Sequence, residues 1–155
     1  MQKKIYTKPE NITYAQQFLL DITERKQLRL FWRKYLEGKG FNFFYLWNVM
    51  TGKMPPSLGF IWALRYGVNP LYWFYTVYEK RPKNIPLKKN PEAYDYYKTQ
   101  NFCYLENLDN LYLFCKQNEL SYNTMWLLKN RKRKITYQKI KQLKTVLPVE
   151  NWFIY

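Results

Sequence analysis

The sequence predicts an all-α protein built from two copies of one pattern. Residues 41–74 and 120–153 align without a gap at a constant shift of 79 positions. The residues identical at that shift are Trp47/Trp126, Lys53/Lys132, Ile61/Ile140, Leu64/Leu143, Trp73/Trp152 and Phe74/Phe153. Apolar residues recur at helical spacing, and no strand-like alternation competes with them. A repeat of this length indicates that one structural module occurs twice.

Turn-forming residues divide the chain into two modules and a linker. The first module is expected at 9–78 and the second at 92–155, each opened by a Pro-Glu pair. Residues 79–91, EKRPKNIPLKKNP, contain three prolines, five basic residues and little that can pack into a core. This composition is typical of a linker.

Five helices are expected in the first module. Their predicted ranges are 12–22, 27–36, 42–50, 58–66 and 70–78. The break at 37–40 contains two glycines, Thr51-Gly52 is a helix-ending pair, and Pro56-Ser57 is a helix-starting one.

The second module repeats this order. Its predicted helices are 92–101, 107–118, 122–130, 136–146 and 150–153. Upstream of the gap-free block, Leu28 matches Leu111 at a shift of 83 instead of 79. The first copy therefore has about four extra residues between its second and third helices.

The charge balance indicates a polyanionic partner. The chain has 26 basic and 11 acidic side chains, a formal net charge of +15. Such an excess points most often to nucleic acid and less often to an anionic membrane, although a basic protein can also be merely soluble. Aromatic residues make up 21% of the chain, so a core rich in rings is expected.

Several kinds of chemistry are disfavoured by composition. There is no histidine, and the two cysteines are Cys103 and Cys115. This excludes histidine-based catalysis and nearly every zinc site, so we expect no catalytic site, metal or cofactor. Both cysteines are expected to be reduced and buried. The N-terminal sequence lacks an apolar signal core and the apolar runs are short, which predicts a cytoplasmic protein that does not enter membranes.

The third helix of each copy follows a fixed pattern. A polar residue is followed by apolar residues, a chain reversal and a Ser/Thr-started helix. These positions are Ser121, Met125, Leu128, Arg131 and Thr136 in the second copy, and Asn42, Leu46, Val49, Gly52 and Ser57 in the first. The spacing resembles the lambda-repressor-like (xenobiotic-response-element type) helix-turn-helix family. The resemblance covers most of the chain and implies two tandem five-helix helix-turn-helix modules forming an internal pseudo-dimer on double-stranded DNA.

The resemblance also implies which residues face DNA. In the second copy the groove-facing set is Ser121, Tyr122, Asn123, Trp126 and Lys129, followed by the cations Arg131, Lys132, Arg133 and Lys134. Asparagine can pair with an adenine edge, and serine and the cations can contact phosphate. A solvated turn is the alternative interpretation of the cations. In the first copy the polar candidates are Asn42, Asn48 and Lys53.

The first copy departs from the family pattern. Its turn is longer, and Trp32 stands where the second copy has Cys115, the small residue expected at the helix crossing. Its outward positions are aromatic: Phe43, Phe44 and Trp47. These rings are expected either to be buried against the second module or a partner, or to form an exposed patch that binds a protein or a second copy of the chain.

Two classes of function remain open at this point. The leading hypothesis is a double-stranded DNA-binding protein, a transcriptional regulator or accessory factor of a phage, plasmid or other mobile element. The competing hypothesis is a protein-interaction module, an inhibitor or antirepressor that uses the same fold on a protein. Stacking of single-stranded bases on Tyr94, Tyr96, Tyr97 and Tyr104 is a third possibility, but their spacing favours ordinary packing.

Overall fold

The computed structural model describes residues 11–86 and 91–155. Within these ranges the chain is mostly helical and contains no strand, which confirms the all-α prediction. The chain divides into two compact units between Asn84 and Ile85, inside the segment expected to be the linker. The expected module start at Pro9 and the part of the linker at 87–90 lie outside the described residues.

From residue 11 onward, unit 1 contains four α-helices and a 3-10 helix. They are α1 (Tyr14–Glu24), α2 (Leu28–Tyr35), α3 (Phe43–Met50), α4 (Leu58–Ala63) and the 3-10 helix Pro70–Trp73. The helix predicted at 70–78 is therefore wrong beyond residue 73. The backbone there bonds to the start of the unit instead, with Tyr14 N donating to Tyr75 O at 3.1 Å and Val77 N to Ile12 O at 3.0 Å.

In its described residues, unit 2 also has four α-helices followed by a 3-10 helix, and a further 3-10 helix precedes them. They are the 3-10 helix Tyr96–Lys98, α5 (Gln100–Glu106), α6 (Leu111–Gln117), α7 (Tyr122–Lys129), α8 (Tyr137–Gln142) and the 3-10 helix Val149–Trp152. The helix predicted at 92–101 is wrong in position. Asp95 caps a short 3-10 helix, and the buried Thr99 then starts α5 by accepting the Phe102 N–H at 3.3 Å.

The sequence repeat has a structural counterpart. The third helices, the fourth helices and the final 3-10 helices each correspond end to end at a shift of 79. Backbone hydrogen bonds recur at the same shift: the N–H groups of residues 53 and 54 donate to Asn48 O, and those of residues 132 and 133 donate to Leu127 O. The core also repeats. Buried at equivalent positions are Leu46/Met125, Val49/Leu128, Ile61/Ile140, Leu64/Leu143, Val68/Leu147, Trp73/Trp152 and Phe74/Phe153.

The reversal after the third helix has left-handed backbone in both units. Gly52 has φ +80° in unit 1, and Arg131 has φ +59° in unit 2. Glycine adopts this conformation without a steric penalty, whereas a residue with a Cβ atom incurs one. The reversal of unit 2 therefore carries a steric cost that the reversal of unit 1 does not.

The turn between the second and third helices is longer in unit 1, as expected. The indole N–H of Trp32 donates to the Phe41 carbonyl at 2.9 Å and closes this turn, while Leu36 is fully buried beneath it. In unit 2 the buried Cys115 lies in α6 just before the shorter turn, and its carbonyl accepts the Leu120 N–H at 2.9 Å.

Burial raises the pKa of the Cys115 thiol. Cys103 is exposed, so the prediction that both cysteines are buried was wrong for that residue.

Gly67 is a position where the two units differ in packing. A Cβ added there would lie 2.8 Å from Cε2 of Tyr35 and 3.0 Å from Cζ of Phe31. The equivalent residue in unit 2 is Val146, which is half-buried.

We expect Gly67→Ala to lower the free energy of unfolding by about 1–3 kcal/mol, because the rings must move to admit the methyl group. Chemical denaturation measures this, with Val146→Ala as the matched variant. A Gly67→Ala protein as stable as the wild type would contradict the packing.

Candidate nucleic-acid interface

The third helix of unit 2 presents one polar and aromatic face. Met125 and Leu128 are buried and attach α7 to the core of its unit. The side chains on the opposite face, all exposed, are Tyr122, Asn123 and Trp126, and the exposed N-cap Ser121 precedes them. These are four of the five residues predicted to face the groove. The three helical residues form a single face because α7 is seated by its apolar side.

Ser121 also determines where α7 begins. Its side-chain oxygen accepts the Thr124 N–H at 3.3 Å, as an N-cap residue does. A hydroxyl that accepts one hydrogen bond keeps its proton for another acceptor, such as a phosphate oxygen. Ser121 can thus cap the helix and contact a ligand at its start.

Lys129 does not join the exposed face. Its ammonium group is half-buried and donates to the Leu108 carbonyl at 2.7 Å, which joins the end of α7 to the turn before α6. The sequence shows the charge of this residue but not the carbonyl opposite it. The structure therefore gives Lys129 a positioning contact within unit 2.

Arg131 is held by three side chains of its own unit. Its Nη2 lies 3.2 Å from Oε2 of Glu106. The guanidinium carbon lies 4.8 Å from the ring centroid of Tyr97 and 5.3 Å from that of Phe102. The ion pair is half exposed and stabilises little, so the ring contacts supply much of the attachment. These contacts offset the strain of the left-handed backbone and fix the start of the cationic run.

The remaining cations of the run are exposed. They are Lys132, Arg133 and Lys134, which we call the basic turn. The N–H groups of its first two residues donate to the Leu127 carbonyl at 2.9 and 3.2 Å, so the turn is tied to α7 by its backbone. Between Glu119 and Glu150 the sequence contains eight Lys or Arg residues and no Asp or Glu. Nothing in this stretch neutralises the turn.

Unit 1 places its polar candidates differently. The side chain of Asn42 accepts the Tyr45 N–H at 2.8 Å and caps α3. Asn48 is half-buried, whereas Lys53 is exposed like its counterpart Lys132. The positions equivalent to Arg133 and Lys134 are Met54 and Pro55, so unit 1 has no basic turn.

The aromatic residues of α3 do not behave as one set. Phe43 is half-buried, with the Trp32 ring 6.5 Å away edge-on and the Arg29 guanidinium 4.2 Å from its centroid. Trp47 is also half-buried, but Phe44 is 74% exposed. The neighbours of Phe43 belong to unit 1, and burial of these rings against the second module or a partner stays a prediction. Phe44 is an exposed apolar group and occupies the position of Asn123 in unit 2.

One element of the unit 2 surface was missed in the sequence. Tyr112, near the start of α6, is 61% exposed, and its ring lies 5.8 Å from that of Tyr122 in an edge arrangement. Together with Trp126 these rings border an open groove of about 380 Å³. The available signal was the helical spacing of α6, which places Tyr112 beside the buried Leu111 and hence on its outer side.

The tyrosines considered for base stacking mostly pack inside unit 2. Tyr96 is buried, with its ring 4.8 Å from that of Phe102, and the Tyr94 ring lies 5.7 Å from that of Phe153 in a tilted arrangement. Burial raises the pKa of both hydroxyls. Of the four, Tyr104 is exposed. This arrangement agrees with ordinary packing.

Residues 11–86 and 91–155 meet the requirements of neither a membrane-spanning helix nor a cluster of metal ligands. No helix there is long and apolar enough to cross a membrane. Across the same residues, no three His, Cys, Asp or Glu side chains are grouped so that they could hold a metal ion.

No protein-family model, curated protein or solved structure matches this chain.

Proposed function

We propose that this chain is a double-stranded DNA-binding protein that inserts α7 of unit 2 into the major groove. The observation that carries the proposal is the exposed face of α7 followed at once by the basic turn, in a stretch that lacks carboxylates. A polyanion is the partner that such a surface attracts. The role we propose is that of a transcriptional regulator or accessory DNA-binding factor of a phage, plasmid or other mobile element.

The dimensions of α7 support this docking. An α-helix with its side chains is about 10–12 Å in diameter, and a major groove about 12 Å wide admits one. Asn123 would donate to and accept from an adenine edge, while Ser121 and the basic turn contact phosphates. Lys129 and Arg131 would hold the helix and the turn in place through their contacts within unit 2.

Unit 1 has a different role in this proposal. It shares the helical frame but has Phe44 where Asn123 stands, and it lacks the basic turn. The chain would then be an internal pseudo-dimer with one DNA-reading unit. The exposed Phe44 supports a second candidate function, binding of a protein partner or a second copy of the chain through unit 1.

Two single substitutions distinguish the base contact of Asn123 from the phosphate contact of Lys132. We expect Asn123→Ala to relax sequence preference, because one base contact is worth about 1–3 kcal/mol of discrimination. We expect Lys132→Ala to weaken all duplexes alike and to lower the salt slope by about one. Selection from a random duplex pool measures the first effect, and salt titration measures the second.

The repeat supplies the matched controls for this pair. Phe44→Ala and Lys53→Ala change the equivalent positions of unit 1. Both should leave sequence preference and salt slope as in the wild type. If Asn123→Ala weakens every duplex by the same factor, as Lys132→Ala is expected to do, α7 does not read bases.

A further inference from the structure

The exposed face of α7 lacks the side chains that most often read guanine. Arg and Lys paired to guanine are the commonest specific contact in the major groove. The exposed residues of this face are Ser121, Tyr122, Asn123 and Trp126, none of which is cationic. The one cation within α7, Lys129, is hydrogen-bonded to the Leu108 carbonyl. A helix of this composition favours other base pairs.

Much of the same face is apolar. Tyr122 is 44% exposed and Trp126 is 39% exposed, and they lie four positions apart, one helical turn along the same side of α7. The Tyr112 ring contacts Tyr122 from α6 and extends the apolar surface. Rings exposed next to the basic turn can make apolar contacts with the polyanion that the turn attracts.

We infer that Tyr122 and Trp126 bind the C5-methyl groups of thymines, so that α7 selects A·T-rich duplex DNA. The thymine methyl is the apolar group that base pairs present in the major groove. The neighbouring Asn123 suits the adenine partner, so the two kinds of contact favour the same base pairs. The eight Lys and Arg residues of 120–149 supply the charge complementarity that brings DNA to this part of unit 2, and one carboxylate, Asp109, borders the groove beside the rings. This inference rests on the proposed function.

Removing the methyl group alone tests the inference. The full-length chain is titrated at low salt with a short duplex of alternating adenine and thymine, and with the same duplex carrying uracil for thymine. Burying one methyl group is worth roughly a fourfold change in Kd. We expect the thymine duplex to bind about 4- to 15-fold more tightly, for one or two contacted methyls.

Variants assign the effect to the two rings. In Tyr122→Ala/Trp126→Ala the thymine-to-uracil ratio should fall to about one, and this ratio is read independently of any loss of affinity that both duplexes share. Tyr78→Ala removes a highly exposed tyrosine of unit 1 and should keep the wild-type ratio. A measurement on the wild-type protein needs no variant: 5-methylcytosine in an alternating G·C duplex should tighten binding by the same factor.

The outcomes separate this inference from the proposed function. Failure to bind either A·T or A·U duplex at low salt would overturn both. Equal binding of the thymine and uracil duplexes would overturn the inference and leave DNA binding intact. The inference also fails if the ratio persists in the double variant, since the preference would then come from duplex shape.

Discussion

Lys132→Gln/Arg133→Gln/Lys134→Gln is expected to weaken duplex binding on the order of 100-fold at about 0.1 M salt. Each neutralised phosphate releases condensed counterions, and losing three such contacts multiplies their effects. The three side chains are exposed, and the backbone of the turn is tied to α7, so the substitutions should leave the fold unchanged. Fluorescence anisotropy with a labelled duplex measures the loss of affinity.

A charge-matched control separates the basic turn from the overall field of the protein. Arg25→Gln/Arg33→Gln/Lys80→Gln removes three exposed cations from unit 1. This variant should bind within about threefold of the wild type, since the removed charges lie outside the proposed contact. Equal losses in the two triple variants would show that the net charge, not the basic turn, holds DNA.

Trp152→Ala is expected to lower the free energy of unfolding by about 3–5 kcal/mol and to abolish duplex binding. Trp152 is fully buried in unit 2, with its ring 5.9 Å from that of Tyr96. Its loss leaves a cavity in the core on which α7 is seated. Chemical denaturation followed by circular dichroism measures the stability, and anisotropy measures the binding.

The repeat again provides the matched variant. Trp73 is the equivalent of Trp152 in unit 1, is also buried, and lies 5.6 Å from Phe60. Trp73→Ala should cost a similar amount of stability but leave most duplex binding in place. If Trp73→Ala loses as much binding as Trp152→Ala, unit 1 takes part in holding DNA and the proposed division between the units is wrong.

The third and fourth helices were predictable because their signals are local. Apolar spacing seats them, and the hydroxyl groups of Ser57 and Thr136 cap the fourth helices as expected. The reversal after the third helix is local in unit 1, where Gly52 adopts the left-handed backbone, whereas in unit 2 Arg131 also contacts side chains distant in sequence. The two helices themselves need no information from distant parts of the chain.

The ends of the units were predicted poorly because distant contacts decide them. Residues after Trp73 have helical apolar spacing, but Tyr75 O accepts the Tyr14 N–H from across unit 1. In unit 2 the corresponding bond joins Gln100 N to Ile154 O at 2.9 Å. Tertiary hydrogen bonds of this kind override local propensity, and a single sequence does not reveal them.

The candidate site was predictable in outline but not in its inner contacts. Periodicity placed Ser121, Tyr122 and Asn123 on the exposed face, as the structure does. It did not indicate that Lys129 meets a carbonyl or that Arg131 meets Glu106 and two rings. Charge is visible in the sequence, whereas the group opposite a charge depends on the fold. The assignment as a non-enzymatic, cytoplasmic protein stays a prediction.

DNA binding through the cations of unit 2 has its simplest test in the salt dependence of duplex binding by the full-length chain. The affinity for a duplex is measured from about 50 to 400 mM salt, and log K is plotted against log salt concentration. With three or more phosphates neutralised by unit 2, the slope should be about −3 or steeper. No duplex binding at the lowest salt, or a slope indistinguishable from zero, would mean that the chain does not hold DNA through these cations.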